Sequence, residues 1–161
     1  MTSTTHVAII YTSIHHGNTR KLAETFAGEF GADLLTVEEA GATSLAGYGL
    51  LGLGSGIYCG RHDWRLRQFV ESWATSPRRV FIFSTAGLSF LHRLQHSSLR
   101  RKLVQKGCSV VSEFSCRGWD TVGPLWLMGG INRHHPNVRD LNRAKEFAKR
   151  LKAESFSICD T

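Results

Sequence analysis

Val7-Ala8-Ile9-Ile10-Tyr11-Thr12-Ser13-Ile14-His15-His16-Gly17-Asn18-Thr19 is the stretch that decides the fold. Val7 to Tyr11 is a continuous apolar run, the pattern of a strand buried on both faces. A polar loop containing one glycine follows. From about Asn18 to Phe30 the period changes, and Leu22, Ala23, Phe26, Ala27 and Phe30 fall on one helical face. A buried strand, a polar loop and an amphipathic helix form the opening unit of a parallel α/β sheet.

The same alternation continues outward. Asp33 to Val37 and Tyr48 to Leu53 read as the second and third strands, and Glu38 to Gly47 between them leaves room only for a brief helix. Leu66, Phe69, Val70 and Trp73 give Arg65 to Ala74 one apolar helical face, and Pro77 punctuates before a strand at Val80 to Ser84. A helix over Ser98 to Gln105 stops at Gly107, a residue suited to the position just past a helix end. The fifth strand spans Ser109 to Phe114, and a long Gly-rich connection runs from Ser115 to Asn137. A last helix starts near Val138 and buries Leu141, Ala144, Ala148 and Leu151. The expectation is one domain over residues 1–161, with five parallel strands covered by helices on both sides.

Composition narrows the function. The hydrophobic fraction of 42% is ordinary for a globular chain. No run approaches the ~18 apolar residues of a membrane span, and the first residues lack a signal core. A cytoplasmic protein with no membrane partner is expected. Cys59, Cys108, Cys116 and Cys159 include no Cys-x-x-Cys pair, so neither a disulfide framework nor a metal site is expected. The net charge of +7 is spread over several segments without a nucleic-acid motif, which favours an acidic protein partner over specific nucleic acid.

In such a sheet, ligands bind beyond the carboxyl ends of the strands, where strand order reverses. Three loops there carry chemistry. Thr12 to Thr19 leads into a helix N-terminus, whose amides and dipole favour an anion; Ser13, Asn18 and Thr19 add donors, and Gly17 permits close approach. Its spacing is not that of a nucleotide triphosphatase loop. Gly54-Ser55-Gly56-Ile57-Tyr58-Cys59-Gly60 offers small residues for a flat ligand and Tyr58 for stacking. Ser84-Thr85-Ala86-Gly87-Leu88-Ser89 offers hydroxyls and backbone groups to the edge of a heterocycle.

Together the three loops resemble the flavodoxin family, whose phosphate loop is matched by His16-Gly17-Asn18-Thr19 with Ser13 before it. The resemblance runs from Val7 to about Leu151. It implies a three-layer flavodoxin-like sandwich with a five-stranded parallel sheet in the order 2-1-3-4-5, and non-covalently bound flavin mononucleotide (FMN). Carried over, Ser13, His15, His16, Gly17, Asn18 and Thr19 hold the phosphate. Gly56, Ile57, Tyr58, Cys59 and Gly60 flank one side of the ring, and Thr85, Ala86, Gly87 and Leu88 complete it. The implied function is electron transfer to a protein partner or flavin-dependent oxidoreduction of a small substrate. The alternative is a non-redox binding module on the same fold.

This chain departs from the family pattern in three places. The phosphate loop is one residue longer and carries His15-His16 where small hydroxyl residues are usual. The chain is basic where electron carriers of the family are acidic. The connection with Trp119 and Trp126 is not shared by the short carriers. Among reactive groups, His15 and Cys59 are the catalytic candidates, His15 as a proton donor. For Cys59 and Cys116 alike, a small buried packing residue is the weightier expectation. His134 and His135, beside Pro136, read as a solvated turn.

Overall fold

The computed structural model describes residues 5–14, 17–73, 78–118 and 134–157. β1 (Val7–Thr12) is followed by α1 (Asn18–Phe30), β2 (Asp33–Thr36) and the brief helix α2 (Val37–Ala42). Val37, read as the end of a strand, instead opens α2. Thr36 caps that helix, its hydroxyl accepting from the Glu39 amide while the Glu39 carboxylate accepts from the Thr36 amide. Next come β3 (Leu50–Tyr58), β4 (Arg61–His62), α3 (Trp64–Ser72) and β5 (Arg79–Ala86). A 3₁₀ turn (Ser89–Leu91) leads to α4 (His92–Gln95), α5 (Ser97–Gln105), β6 (Ser109–Arg117) and α6 (Val138–Ser157).

The parallel strands lie in the order β2-β1-β3-β5-β6, and β4 pairs antiparallel with β3. Without that short return strand, this is the expected 2-1-3-4-5 order. The chain reverses direction across the sheet between β1 and β3, which places the ligand crevice at their carboxyl ends.

The main correction concerns length. β3, β5 and β6 continue to Tyr58, Ala86 and Arg117, through residues read as loop. Ser55 and Ser115 are therefore strand residues, and with Ser84 they stand in register across the three strands. The 3₁₀ turn and α4 were not expected either.

Each sheet face has its own core. Phe26 of α1 packs edge-on against Phe81, Phe83, Phe114 and Phe147, with centroids 5.4, 5.1, 5.6 and 5.8 Å away. Such pairs each add roughly 0.5–1.5 kcal/mol beyond burial. The opposite face holds Ile10, Leu51, Leu53, Leu66, Val70, Ile82 and Leu99. On the phenylalanine side β3 presents glycines at alternate positions. A Cβ on Gly52 would lie 2.5 Å from Phe81 Cζ, and one on Gly54 would overlap the Phe83 ring. The bare backbone of β3 is the floor on which those rings sit.

Candidate cofactor site

The first loop ends in Gly17, whose φ of 64° is left-handed and suits glycine. Gly17 is the N-cap of α1; no side chain caps the helix, and its first turn holds no acid. Among the described residues, no acid in that turn offsets the positive end of the helix dipole. Ser13 Oγ is buried without a hydrogen-bond partner. An orphaned buried hydroxyl costs about 1–3 kcal/mol, and an anion on the helix end would remove that cost. These residues fit a phosphate group.

Asn18 and Thr19 are buried, and Thr19 Oγ1 lies 2.9 Å from Thr85 Oγ1. The start of α1 is thereby tied to the end of β5. Gly118, which the sequence reading passed over, closes the third side. Its amide donates to Ala86 O at 3.1 Å, and a Cβ there would come within 3.1 Å of Asn18 Nδ2 and of Thr85 Cβ. A side chain at Gly118 would press Asn18 and Thr85 apart by a few tenths of an ångström where these three segments converge.

The second loop is a hairpin. Ile57 and Tyr58 of β3 pair with His62 and Arg61 of β4, leaving Cys59 and Gly60 as the turn. Both have positive φ, 49° and 75°, the sign pattern of a tight two-residue turn matched to strand twist. Cys59 is exposed at its tip, so the expectation of a buried packing residue is wrong for this thiol. That expectation holds for Cys116, which is fully buried, with burial pushing its thiol up to about 12. Tyr58 lies across Gly56, where a Cβ would meet its hydroxyl at 2.7 Å. Gly56 is in register with Thr85, so Tyr58 and Thr85 share one face and one edge. Ile57 and Gly87 are half-buried and Leu88 is exposed. His15, His16, Trp119, Trp126 and Cys159 lie outside the described residues. His134 is exposed as expected, but His135 is half-buried with Nδ1 on Asp140 Oδ2, a correction to the solvated turn.

Beneath the ring loops, on the other sheet face, lies a buried polar network that the sequence reading missed. Ser55 Oγ donates to Gly56 O (2.8 Å) and accepts from the Asp63 amide (3.0 Å). With its proton directed at Gly56 O, Ser55 Oγ takes a hydrogen bond from His62 Nδ1, 2.7 Å away. That leaves His62 Nε2 as a bare, buried lone pair with no partner. The His62 ring sits 4.8 Å from that of His96. His96 Nε2 is 2.7 Å from Ser84 Oγ, which donates to Ser115 Oγ at 3.0 Å, and His96 Nδ1 is 3.1 Å from Glu113 Oε2. A doubly protonated His96 satisfies all these contacts; a neutral one does so when the Ser84 hydroxyl turns from Ser115 to Nε2. Arg100 grips both Glu113 oxygens.

Burial pushes His62 well below the ordinary histidine value, and the neighbouring His96 adds to the effect. Burial also lowers His96, against the opposing pull of Glu113. Burial works against ionised Glu113, but hydrogen bonds from His96 and Arg100 outweigh it and hold the carboxyl at about 2. The network clamps the root of the Tyr58 hairpin to the ends of β5 and β6. It positions the ring loops from below.

The flavodoxin-domain family model matches residues 8–118. This chain belongs to the flavodoxin family. An uncharacterised protein of Methanocaldococcus jannaschii is 43% identical over 143 residues, spanning 89% of this flavodoxin-family chain and 95% of that protein. The fold is similar to a flavodoxin from the domain Archaea (TM-score 0.66, 14% identity, covering 94% of this chain and 99% of that one). It is also similar to oxidised Flavodoxin 2 from Bacillus cereus (TM-score 0.67, 18% identity, 92% and 99%). Rubredoxin:oxygen oxidoreductase from Desulfovibrio gigas aligns with 95% of this chain over 36% of its own length (TM-score 0.65, 15% identity). Among the described residues, no group of three His, Cys, Asp or Glu side chains could hold a metal ion.

Proposed function

We propose that this flavodoxin-family domain binds FMN non-covalently and transfers electrons through it. The observation that carries the reading is the partnerless Ser13 hydroxyl beside a helix end that no side chain caps, at the point where strand order reverses. Ser13 and the backbone at Gly17, Asn18 and Thr19 hold the phosphate. The Tyr58-Cys59-Gly60 hairpin and the Thr85-Ala86-Gly87 segment bound the ring. FMN supplies the redox chemistry, while the protein orients it and sets its electrostatic surroundings. The Ser55–His62 and Ser84–His96 contacts hold both ring loops at fixed height on the sheet edge.

The charge of +7 supports an anionic electron partner, an acidic redox protein being the one expected from charge alone. Reduction of a small substrate by the bound flavin is the enzymatic form of the same reading. A fluorescence titration with FMN and with riboflavin tests it. Saturable quenching by FMN, and binding of riboflavin at least about tenfold weaker, are expected from a phosphate-anchored site. Equal affinity for both, or binding of neither, refutes it.

A further inference from the structure

Eight large apolar side chains stand exposed among the described residues, and seven of them lie at the carboxyl edge of the sheet. Phe90 (75% exposed), Leu94 (73%), Leu88 (52%) and Leu91 project from the segment that follows β5. Trp64 (57%) opens α3 beside the hairpin, Ile14 stands in the β1–α1 loop, and Val138 opens α6. The eighth, Val104, is near the far end of α5, at the opposite edge of the sheet. Scattered exposed apolar residues need no explanation, but a set gathered at one edge does.

The exposed charges of the loops and helix starts at that edge are basic, while Asp140, next to Arg139 in the first turn of α6, is buried against His135. Arg61, Arg93, Arg117 and Arg139 are exposed there, and the Arg65 guanidinium lies 5.5 Å over the Trp64 ring. Among the described residues of the loops after β1, β3, β5 and β6, the one acid is Asp63, which is buried and caps α3. Exposed Glu38 and Glu39 sit on the far flank beyond β2, and Glu39 is engaged by the Thr36 cap.

We infer that this edge docks on an anionic lipid surface. Phenylalanine, tryptophan and leucine side chains enter the interfacial layer while arginines stay at headgroup level, the arrangement of proteins that lie on a bilayer without crossing it. No described helix is long and apolar enough to cross a membrane. Charge alone would suit an acidic protein equally well; side chains as exposed as Phe90 and Leu94, with exposed Arg93 between them in the chain, favour lipid. Ile14 and Leu88 belong to the loops read as holding the flavin, so the inference rests chiefly on Phe90 and Leu94.

Flotation of the full chain with vesicles of phosphatidylcholine, with and without phosphatidylglycerol, tests it. Binding is expected to the mixed vesicles, weakened at least about tenfold by high salt or by omitting phosphatidylglycerol. Phe90→Asp combined with Leu94→Asp should reduce binding about a hundredfold, since each change removes a large side chain from the interface. Val104→Asp should leave binding unchanged. Should the double variant misfold, Arg93→Glu serves in its place, with an expected loss of several-fold. Absence of binding to the mixed vesicles overturns the inference, as does equal binding by wild type and the edge variants. A concentration-dependent dimer that Phe90→Asp abolishes, seen by sedimentation without vesicles, assigns the edge to a second copy and likewise overturns it. The same holds if an acidic protein is captured through Phe90 and Leu94 while vesicles are ignored.

Discussion

Acidification should weaken this domain through two buried histidines before any carboxylate is protonated. Unfolded histidine titrates near 6.5. In the fold, burial holds His62 well below that value and His96 below it, with His92 and Arg100 pushing His96 down and Glu113 pulling it up. Below about pH 6.5 the unfolded chain therefore binds more protons than the folded one, so stability falls as pH falls. Each histidine contributes a slope of at most about 1.4 kcal/mol per pH unit, or about 2.7 for the pair. The physical origin is specific: a proton added to His62 must go to Nε2, which has no acceptor and lies beside the His96 ring. His62→Asn keeps a donor for Ser55 and removes the titrating group. Urea unfolding of both proteins from pH 7.5 to 5.5 reads the difference as a slope, independent of any uniform loss of stability. Across that window the variant should lose up to about 1.4 kcal/mol in total of the dependence, an average slope of about 0.7 kcal/mol per pH unit. An unchanged slope would refute the assignment of His62 as neutral and buried.

Further outcomes follow from the same geometry. Ser13→Ala should stabilise the FMN-free protein or leave it unchanged, by removing an unsatisfied hydroxyl, yet weaken FMN binding about fivefold or more; thermal melts with and without FMN read both. Gly54→Ala should destabilise by about 1–3 kcal/mol or more, because the new methyl overlaps the Phe83 ring, and Phe83→Leu should recover part of the loss in a double-mutant cycle. A thiol reagent at neutral pH should label Cys59 in the folded protein and leave Cys116 unmodified until unfolding, as mass spectrometry of the labelled peptides would show.

The sheet was legible because β1 and the buried parts of β3 and β5 are long apolar runs, a local signal that needs no tertiary information. Their carboxyl ends were not. Ser55 and Ser115 look like loop residues in sequence, and Ser84 like the last residue of its strand, because a serine inside a buried strand is tolerable only when something distant satisfies it. His62 and His96 do so here, 7 and 12 residues from their serines, and no periodicity links those positions. Phe147 was missed for a milder reason: the spacing of Ala144, Ala148 and Leu151 marked the right face of α6 without showing which large ring filled the gap around Phe26. The start of α1 at Asn18 was readable, because the hydrophobic period changes there directly after the glycine that serves as N-cap. The apolar edge was not, since single apolar residues such as Ile14, Trp64, Leu94 and Val138 carry no local sign of exposure, and only the fold leaves them outside.

The central claim is most directly tested by a crystal structure of the chain grown with FMN. The account predicts the phosphate oxygens at about 2.7–3.2 Å from Ser13 Oγ and from amide nitrogens at Gly17, Asn18 and Thr19, with the ring between Tyr58 and the Thr85-Ala86-Gly87 segment. A phosphate bound elsewhere, or crystals that take up no FMN at saturating concentration, would contradict it.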